Sequence, residues 1–339
     1  MKVTTFGLDL AKRVLQVHWV DMKTGEICRR QLKRGQVLEF FANRERSVIA
    51  MEACGSAHYW ARKLAGLGHE VRLIAAQFVR PFVKTNKTDA ADAQAIWEAG
   101  QRPGMKFVAV KSEGQQGVLM MHRMREQLVK IRTMQTNQLR GLLYEFGADL
   151  PRGRQKGVER IPGELDKLEA VLPAMVVETI RSQLKRIEAL DQDIAQIEKR
   201  LAAWKKEDKA AKRLMAIPGV GLLTATAAVA TIGDARAFKS GREFAAFVGL
   251  VPRQSGTGGR VKLLGISKRG DVYLRTLLIH GARSVITHGK QREPWLGQLL
   301  ARRPFNAAVV ALANKMARTI WALLAHDRTY EKGYVAVAA

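Results

Sequence analysis

The sequence is poor in cysteine and in recognisable metal-binding histidine patterns. Only two cysteines, Cys28 and Cys54, occur in 339 residues, and their spacing matches neither a metal-binding nor a redox motif. The seven histidines likewise lack the paired spacing that a zinc site requires. These shortages indicate structural cysteines in a reducing compartment and give no support to a zinc site.

Segments for export or membrane insertion are also missing from the sequence pattern. The first residues lack the apolar core of a signal peptide. The longest apolar candidate, residues 305–326, is interrupted by Asn314, Lys315 and Arg318. We therefore expect a buried or partner-facing helix there, no membrane partner, and a cytoplasmic protein associated with the nucleoid.

Acidic residues are few relative to basic ones. The chain has 57 Lys and Arg against 31 Asp and Glu, which gives a formal net charge of +26. A basic surface without a partner is one interpretation, but an excess this large usually serves a polyanion such as nucleic acid. The length allows two domains or three small ones, and 47% hydrophobic residues can form a sizeable core.

Four of the scarce acids have a pattern that suggests chemistry. Asp9 and Glu52 each end an apolar run, whereas Asp89 and Asp92 lie at the start of a helical stretch and share one helix face. Carboxylates converging in this way can hold magnesium, which prefers oxygen ligands and keeps positions open for phosphate and water. Each acid alone is more typical of a structural role, Asp89 as a helix-start residue and Asp92 on a solvated face.

The order of predicted elements places these acids in a recognisable fold. Three strands, at about residues 3–9, 14–21 and 27–32, form an antiparallel meander and are followed by alternating helix and strand, with strands ending at Glu52 and near residue 75. This is the order of a ribonuclease H-like domain. Sites in such α/β sheets lie at the carboxyl ends of strands, where Asp9 and Glu52 both fall.

Two helical regions follow. Residues 112–146 combine apolar positions with cations that could contact a nucleic-acid backbone, or that could form an ordinary solvated face: Arg123, Arg125, Lys130, Arg132 and Arg140. From about 164 to 210, apolar residues repeat at alternating spacings of three and four, which indicates either a coiled-coil dimerisation arm or a helix packed within its own chain.

The last third combines a helical turn with a glycine-rich stretch. Ile217-Pro218-Gly219-Val220-Gly221 is typical of a helix-hairpin-helix, in which Gly219 and Gly221 let backbone N–H groups approach a phosphate. The stretch from Gly249 to Asp271 is interpreted as a loop that offers cations for phosphate and hydroxyls for nucleophilic attack. Its cations are Arg253, Arg260, Lys268 and Arg269, and its hydroxyls are Ser255 and Thr257, with Ser267 a more distant third. A phosphate-binding loop with no covalent role remains the alternative.

Taken in order, these motifs resemble one known family. Gly7-Leu8-Asp9, Met51-Glu52-Ala53, residues 87–92, residues 217–221 and residues 249–253, together with Gly265 to Asp271, are similar to the DEDD insertion-sequence transposases of the IS110 family, in particular its IS1111 subgroup. The resemblance covers nearly the whole chain. Each motif is weak alone, whereas the ordered set is specific.

The resemblance implies an architecture and a chemistry. Residues 1–110 would form a RuvC-like α/β ribonuclease H-like domain, 111–212 a basic helical and coiled-coil region, and 213–339 a mainly α transposase domain. Asp9, Glu52, Asp89 and Asp92 would hold Mg²⁺, and a C-terminal hydroxyl would link covalently to DNA. Members of the family form oligomers with composite active sites and work with an element-encoded bridge RNA that pairs with target and donor DNA.

The nucleophile is where this sequence departs from the family. An ungapped match selects Thr257, because family members usually have serine directly before that glycine, whereas chemical identity selects Ser255. Three other functions remain open at this point: a junction endonuclease that uses water, an actin-like or sugar-kinase fold that binds nucleotide, and an architectural DNA-binding protein. The charge and the absence of a phosphate loop of Walker type disfavour the nucleotide-binding fold.

Overall fold

The computed structural model describes residues 3–83, 88–289 and 293–332. The chain divides into two compact units, one formed by Met1–Gln115 with Ile232–Lys239 and the other by Gln116–Thr231 with Ser240–Ala339. Lys87, at the start of the motif around Asp89, lies outside the described residues. The three-domain division expected from the sequence stays a prediction.

The first unit is built on a six-stranded mixed sheet. Its strands are β1 (Thr5–Leu10), β2 (Val14–Val20), β3 (Ile27–Lys33), β4 (Val48–Glu52), β5 (Glu70–Ile74) and β6 (Phe107–Val108). The sheet order is β3-β2-β1-β4-β5-β6. β1, β4 and β5 run parallel, and the other neighbours pair antiparallel. The predicted meander followed by alternating helix and strand is confirmed, and the order is compatible with a ribonuclease H-like domain.

Helices cover this sheet. They are α1 (Val37–Ala42), α2 (Ala57–Gly66), α3 (Ala76–Val79) and α4 (Asp89–Gly100). Alternation in β1 and β2 sends Phe6, Leu8, Leu15 and Val17 into a core that α1 and α2 close with Phe41 and Trp60. A second cluster lies under α4, where Ala95, Ile96 and Ala99 pack on Ala50 and Ile74.

The second unit is mainly helical. Its helices are α5 (Glu113–Tyr144, which begins in the first unit), α6 (Arg154–Leu168), α7 (Ala174–Glu207), α8 (Lys209–Leu214), α9 (Leu222–Ile232), α10 (Gly241–Phe247), α11 (Val272–His288), α12 (Pro294–Arg302) and α13 (Phe305–Ala325). Two expectations need correction here. Helix resumes at Arg154 rather than near 164, because buried Ile161 and Leu165 hold α6 in place around Pro162. On α5, the apolar spacing of residues 112–146 predicts Leu142 on the packed face, whereas Leu142 is exposed and its neighbour Leu143 is buried.

The apolar repeat on α7 packs within the chain. Ile187 joins a buried cluster with Leu139 and Leu143 of α5. Ile197 and Leu201 join Val118 of the same helix. The apolar repeat of α7 therefore packs on α5 of the same chain, which agrees with the interpretation as a helix packed within its own chain.

Helix α13 is the one described helix that is long and apolar enough to cross a membrane by length and composition. Its apolar face is buried: Val309, Ala313, Met316 and Ile320 are nearly inaccessible to solvent. The helix packs on α10 and α11 as a core element of the second unit. The expectation of a buried helix is therefore confirmed.

The glycine-rich stretch forms a β-hairpin, which corrects its interpretation as a loop. Strands β7 (Pro252–Thr257) and β8 (Arg260–Ile266) pair antiparallel. Gly258 and Gly259 make the turn with positive φ angles of 56° and 80°. A two-residue hairpin turn of this kind favours glycine at both positions, because its twist matches that of the strands.

Candidate active site

Asp9 and Glu52 lie side by side at the carboxyl ends of two parallel strands. The register of β1 with β4 pairs Phe6 with Ile49 and Leu8 with Met51. One further step along each strand brings Asp9 opposite Glu52. Backbone pairing alone therefore places two carboxylates at neighbouring positions on the edge where α/β sheets carry their sites.

Helix α4 brings the other two acids to this edge. A Cβ atom added at Gly7 of β1 would lie 2.2 Å from the carbonyl oxygen of Ala93, so only glycine allows the helix to approach the strand this closely. Gly100 has the same effect at the other end of α4, where an added Cβ would lie 2.6 Å from the Cβ of Ala50. The indole Nε1 of Trp97 donates to the Thr5 carbonyl at 3.0 Å and fixes the helix against β1.

The first turn of α4 carries both acids. Thr88 caps the helix, because its hydroxyl accepts a hydrogen bond from the Ala91 amide at 3.2 Å. Asp92 is half-buried next to Ala93, which contacts β1, and Asp89 is exposed one turn earlier.

The four carboxylates share one electrostatic environment. Burial, and after it the negative charges of Asp92, Asp89 and Glu52, together raise the pKa of Asp9 to about 6. A hydrogen bond from the backbone N–H of Leu10 opposes the shift. Asp9 is therefore near enough to each of the other three predicted acids for their negative charges to act on it.

Among the described residues, no basic side chain pairs with these four acids. In a chain with 57 Lys and Arg, the described ranges place no basic side chain within ion-pair distance of any of the four acids. Nor do the described residues bring three Asp, Glu, His or Cys side chains close enough to share one metal ion as they stand. The four side chains offer only carboxylate oxygens, which suit a hard cation better than a soft one.

The candidate nucleophiles lie on the exposed β7–β8 hairpin. The register pairs Ser255 with Lys262 and Thr257 with Arg260, so these four side chains share one face of the ribbon. The opposite face carries Gln254 paired with Leu263, and Gly256 paired with Val261. Every residue of β7 is exposed. Both candidate hydroxyls are thus accessible, and each has a cation directly across the ribbon.

Buried hydrogen bonds fix the base of the hairpin. Arg275 of α11 is 7% exposed and donates through Nη1 to the carbonyl oxygens of Val248 at 2.8 Å and Arg269 at 2.9 Å. The side-chain amide of Asn314 on α13 donates to the Leu250 carbonyl at 3.1 Å. Because these residues hold the segments on both sides, the ribbon projects from a fixed base.

Comparison with known proteins decides the family. Residues 6–147 match a family model described as a DEDD transposase of the IS110 type, and residues 211–295 match the transposase IS116/IS110/IS902 family. The chain is 51% identical over 338 residues to a probable family 20 transposase of Pseudomonas aeruginosa, covering 98% of this chain and 100% of that protein. The chain belongs to the IS110 family of transposases.

Two further relatives agree with that assignment. The transposase for insertion sequence element IS1111A of Coxiella burnetii is 42% identical, with 98% of this chain and 92% of that protein covered. The transposase for IS1328 of Yersinia enterocolitica is 39% identical, with 97% and 99% covered. The resemblance to the IS110 family and its IS1111 subgroup is therefore confirmed, and with it the activity of an enzyme that cuts and rejoins DNA.

The cations predicted on α5 of this transposase mostly have partners within the chain. Arg125 forms an ion pair with Glu198 at 2.6 Å, Arg132 pairs with Asp191, and Arg140 donates to the carbonyl oxygens of Leu150 and Pro151. Lys130 pairs with Glu126 at 2.9 Å. These contacts explain the residues as part of the helical packing, and their contact with nucleic acid stays a prediction.

Arg123 is exposed and has no ion-pair partner among the described residues, so its charge is available to nucleic acid.

In the transposase's Pro-Gly-Val-Gly turn, the two glycines differ. Gly219, with φ of 84°, packs against α11, where an added Cβ would lie 2.7 Å from the Gly281 carbonyl oxygen. Gly221 has open space around it at the start of α9. Close packing against α11 thus explains why position 219 is glycine. The backbone at Gly221 is open, as contact with a phosphate requires.

Sequence reasoning missed the residues that position the site. Gly7 and Arg275 touch neither acids nor hydroxyls, yet they set the distance of α4 from the sheet and the base of the hairpin. Lys262 was also missed. The Gly-Gly pair at 258–259 was the signal that could have revealed the hairpin and, with it, the pairing of Lys262 with Ser255.

Proposed function

We propose that this transposase cuts DNA with two groups of side chains. The first is the four carboxylates of Asp9, Glu52, Asp89 and Asp92, and the second is one hydroxyl of the β7–β8 hairpin. The observation that carries the proposal is the group of four carboxylates, two at the carboxyl ends of β1 and β4 and two on the first turn of α4, which have no basic partner among the described residues. A cluster that raises the pKa of its own member is retained at a cost to folding, which is typical of functional sites. The exposed Ser255 and Thr257 supply the nucleophile.

Asp9, Glu52, Asp89 and Asp92 are the residues that would hold Mg²⁺, and DEDD transposases typically use a divalent metal. The donor set fits that ion, because it consists of carboxylate oxygens with no competing basic partner in the described parts of the chain. When bound, the metal would polarise the scissile phosphate and stabilise the charge on the oxygens that attack and leave. Loss of any one carboxylate should therefore reduce strand cleavage far more than DNA binding.

The hairpin hydroxyl forms a covalent phosphoester with the cut DNA strand. Its oxygen forms a bond to the scissile phosphorus, the bond from phosphorus to one DNA oxygen breaks, and that oxygen takes up a proton to replace the one the hydroxyl releases. The reverse attack by the hydroxyl end of a second strand restores a phosphodiester and returns a proton to the side chain. Cutting and rejoining then need no external energy source.

The same proposal extends to partners. We infer that the exposed cations Arg123, Arg253, Arg260, Lys268 and Arg269, with the backbone at Gly221, contact nucleic acid, supported by the net charge of +26. Family membership supports an element-encoded bridge RNA as guide, so that base pairing rather than protein selects the target. It also supports a homo-oligomer, a RuvC-like first domain and action in the cytoplasm at the nucleoid.

The test is detection of a covalent protein–DNA adduct on a denaturing gel. The transposase is incubated with labelled element-junction DNA, element-derived RNA and Mg²⁺, alongside Ser255→Ala, Thr257→Ala and the Ser267→Ala control. We expect an adduct in the wild type that one of the first two variants abolishes and the control retains. Omission of the RNA should abolish site-specific adducts.

Two results would contradict the proposal. Clean cleavage without an adduct would indicate a junction endonuclease that uses water. An adduct that survives in the Ser255→Ala/Thr257→Ala double variant would place the nucleophile elsewhere in the chain.

A further inference from the structure

Lys262 lies directly across the β7–β8 ribbon from Ser255. Residues opposed in an antiparallel pair have Cβ atoms roughly 4.5–5.5 Å apart, and diagonal neighbours two residues along remain within reach of a long side chain. Lys262 is the direct neighbour of Ser255 and the diagonal neighbour of Thr257. Its ammonium group can therefore serve whichever of the two hydroxyls attacks.

The charge of Lys262 is available to an external anion. The residue is exposed, and no carboxylate in the described parts of the chain pairs with it. Cations on α5 differ in this respect, since Arg125 and Arg132 are paired with acids of α7. Lys262 thus has no acid within the described chain that would neutralise its charge.

The fixed base of the hairpin makes this arrangement suitable for catalysis. Arg275 and Asn314 hold the segments that flank the ribbon, so Lys262 and Ser255 keep their relative position through strand pairing rather than through a flexible loop. Charge that builds on the non-bridging oxygens during attack is stabilised most by a cation that is already in place.

We propose that Lys262 is a further catalytic residue of the transposase. Its ammonium group binds a non-bridging oxygen of the scissile phosphate while the hydroxyl across the ribbon attacks the phosphorus. Lys262 forms no covalent bond and transfers no proton in this step. Arg260, opposite Thr257, contributes a second positive charge on the same face. The inference rests on the proposed function, because it presumes that a hairpin hydroxyl attacks.

The test compares two DNA substrates under saturating protein. One carries the native scissile phosphate and the other a neutral methylphosphonate at that position, and the rate of adduct formation is measured for the wild type, Lys262→Ala and Lys262→Arg. Lys199→Ala, which removes the same charge from the exposed surface of α7, is the matched control.

We expect Lys262→Ala to slow adduct formation on native DNA on the order of 10²-fold, with Lys262→Arg retaining much of the rate and Lys199→Ala unchanged. On the neutral substrate, Lys262→Ala should match the wild type, because there is little charge left to stabilise. A purely structural role for Lys262 would slow both substrates equally.

Three outcomes would overturn the inference, and they differ in what else they affect. An unchanged rate in Lys262→Ala on native DNA, or a variant that stays slow on the neutral substrate, rejects the role of Lys262 and leaves the hydroxyl mechanism intact. A wild type that cleaves native DNA without any adduct rejects the proposed function and this inference with it.

Discussion

Gly7 on β1 and Ala93 on α4 approach so closely that a Cβ atom at position 7 would lie 2.2 Å from the Ala93 carbonyl oxygen. This contact sets how far Asp92 lies from Asp9. The absence of a side chain on one strand residue therefore determines whether four acids from three elements can act together.

Replacing Gly7 should separate these elements. We expect Gly7→Ala to destabilise the first unit by about 1–3 kcal/mol, because overpacking displaces α4, and to reduce strand cleavage more than DNA binding. Urea unfolding and a cleavage assay measure the two effects. Gly66→Ala is the control, since an added Cβ there has no neighbour within 4 Å. Equal behaviour of the two variants would mean that the contact does not position α4.

Removing the charge of Asp9 should stabilise the metal-free protein while abolishing cleavage. The folded pKa of about 6 lies above the ordinary aspartate pKa of 3.8, so the folded state keeps a proton that the unfolded state loses, and stability falls as pH rises between these values. Asp9→Asn should therefore raise Tm in EDTA at pH 7.5, and Mg²⁺ should raise Tm of the wild type more than that of the variant.

Asp21, an exposed acid outside the candidate site, should respond in the opposite way to replacement by asparagine. The backbone amides of Lys23 and Thr24 donate to Asp21, which lowers the pKa of that exposed carboxyl. Asp21→Asn should therefore leave Tm unchanged or slightly lower at pH 7.5. If Asp9→Asn lowers Tm as well, the acids of the candidate site do not repel one another as the structure indicates.

His122 should make the second unit sensitive to acid. Burial, and after it the positive charge of Arg125, together lower the pKa of His122 to about 4. The ring lies between Tyr273 and Thr226, with 2.9 Å from Nδ1 to the phenol oxygen and 2.9 Å from Nε2 to the hydroxyl oxygen. Between pH 6.5 and 4 the unfolded state binds a proton that the folded state does not, so stability falls as pH falls.

Substitution of His122 tests that dependence. We expect His122→Gln to reduce stability at pH 7.5 by about 1–3 kcal/mol through lost buried hydrogen bonds, and to flatten the loss of stability between pH 6.5 and 4. Denaturant unfolding across that range gives both numbers, with the exposed His280→Gln as control. An unchanged pH slope would show that another group is responsible.

Arg275 should control the order of the hairpin. Arg275→Met removes the donor to the buried Val248 carbonyl and the partly buried Arg269 carbonyl, so we expect faster amide exchange in β7 and β8 and a lower rate of adduct formation. Hydrogen exchange detected by mass spectrometry measures the first effect. Arg283→Met, which removes an exposed hydrogen bond to Asn306, should leave exchange in the hairpin unchanged.

The sheet could be predicted because burial leaves a pattern in the sequence. Residues alternate in β1 and β2 between the core and the opposite face, and the acids follow apolar runs directly. The hairpin lacks this pattern, since both of its faces are exposed and Val261 and Leu263 are 66% and 63% accessible. Only the Gly258-Gly259 turn marked it in the sequence.

The positioning residues could not be predicted for a different reason. Arg275 is one of 57 basic residues, and only the folded chain shows that it is buried and bonded to two carbonyl oxygens. Gly7 acquires its importance from a helix more than 80 residues later in the chain. Both depend on tertiary approach, which residue type and spacing do not specify.

The most direct measurement for the proposed mechanism is the identity of the residue joined to DNA. The transposase is incubated with junction DNA, element RNA and Mg²⁺, the adduct is digested with nuclease and protease, and mass spectrometry locates the remaining nucleotide. The account predicts a phosphodiester on Ser255 or Thr257, absent when Asp9 is replaced by Asn. A nucleotide on any other residue, or cleaved DNA with unmodified protein, would contradict it.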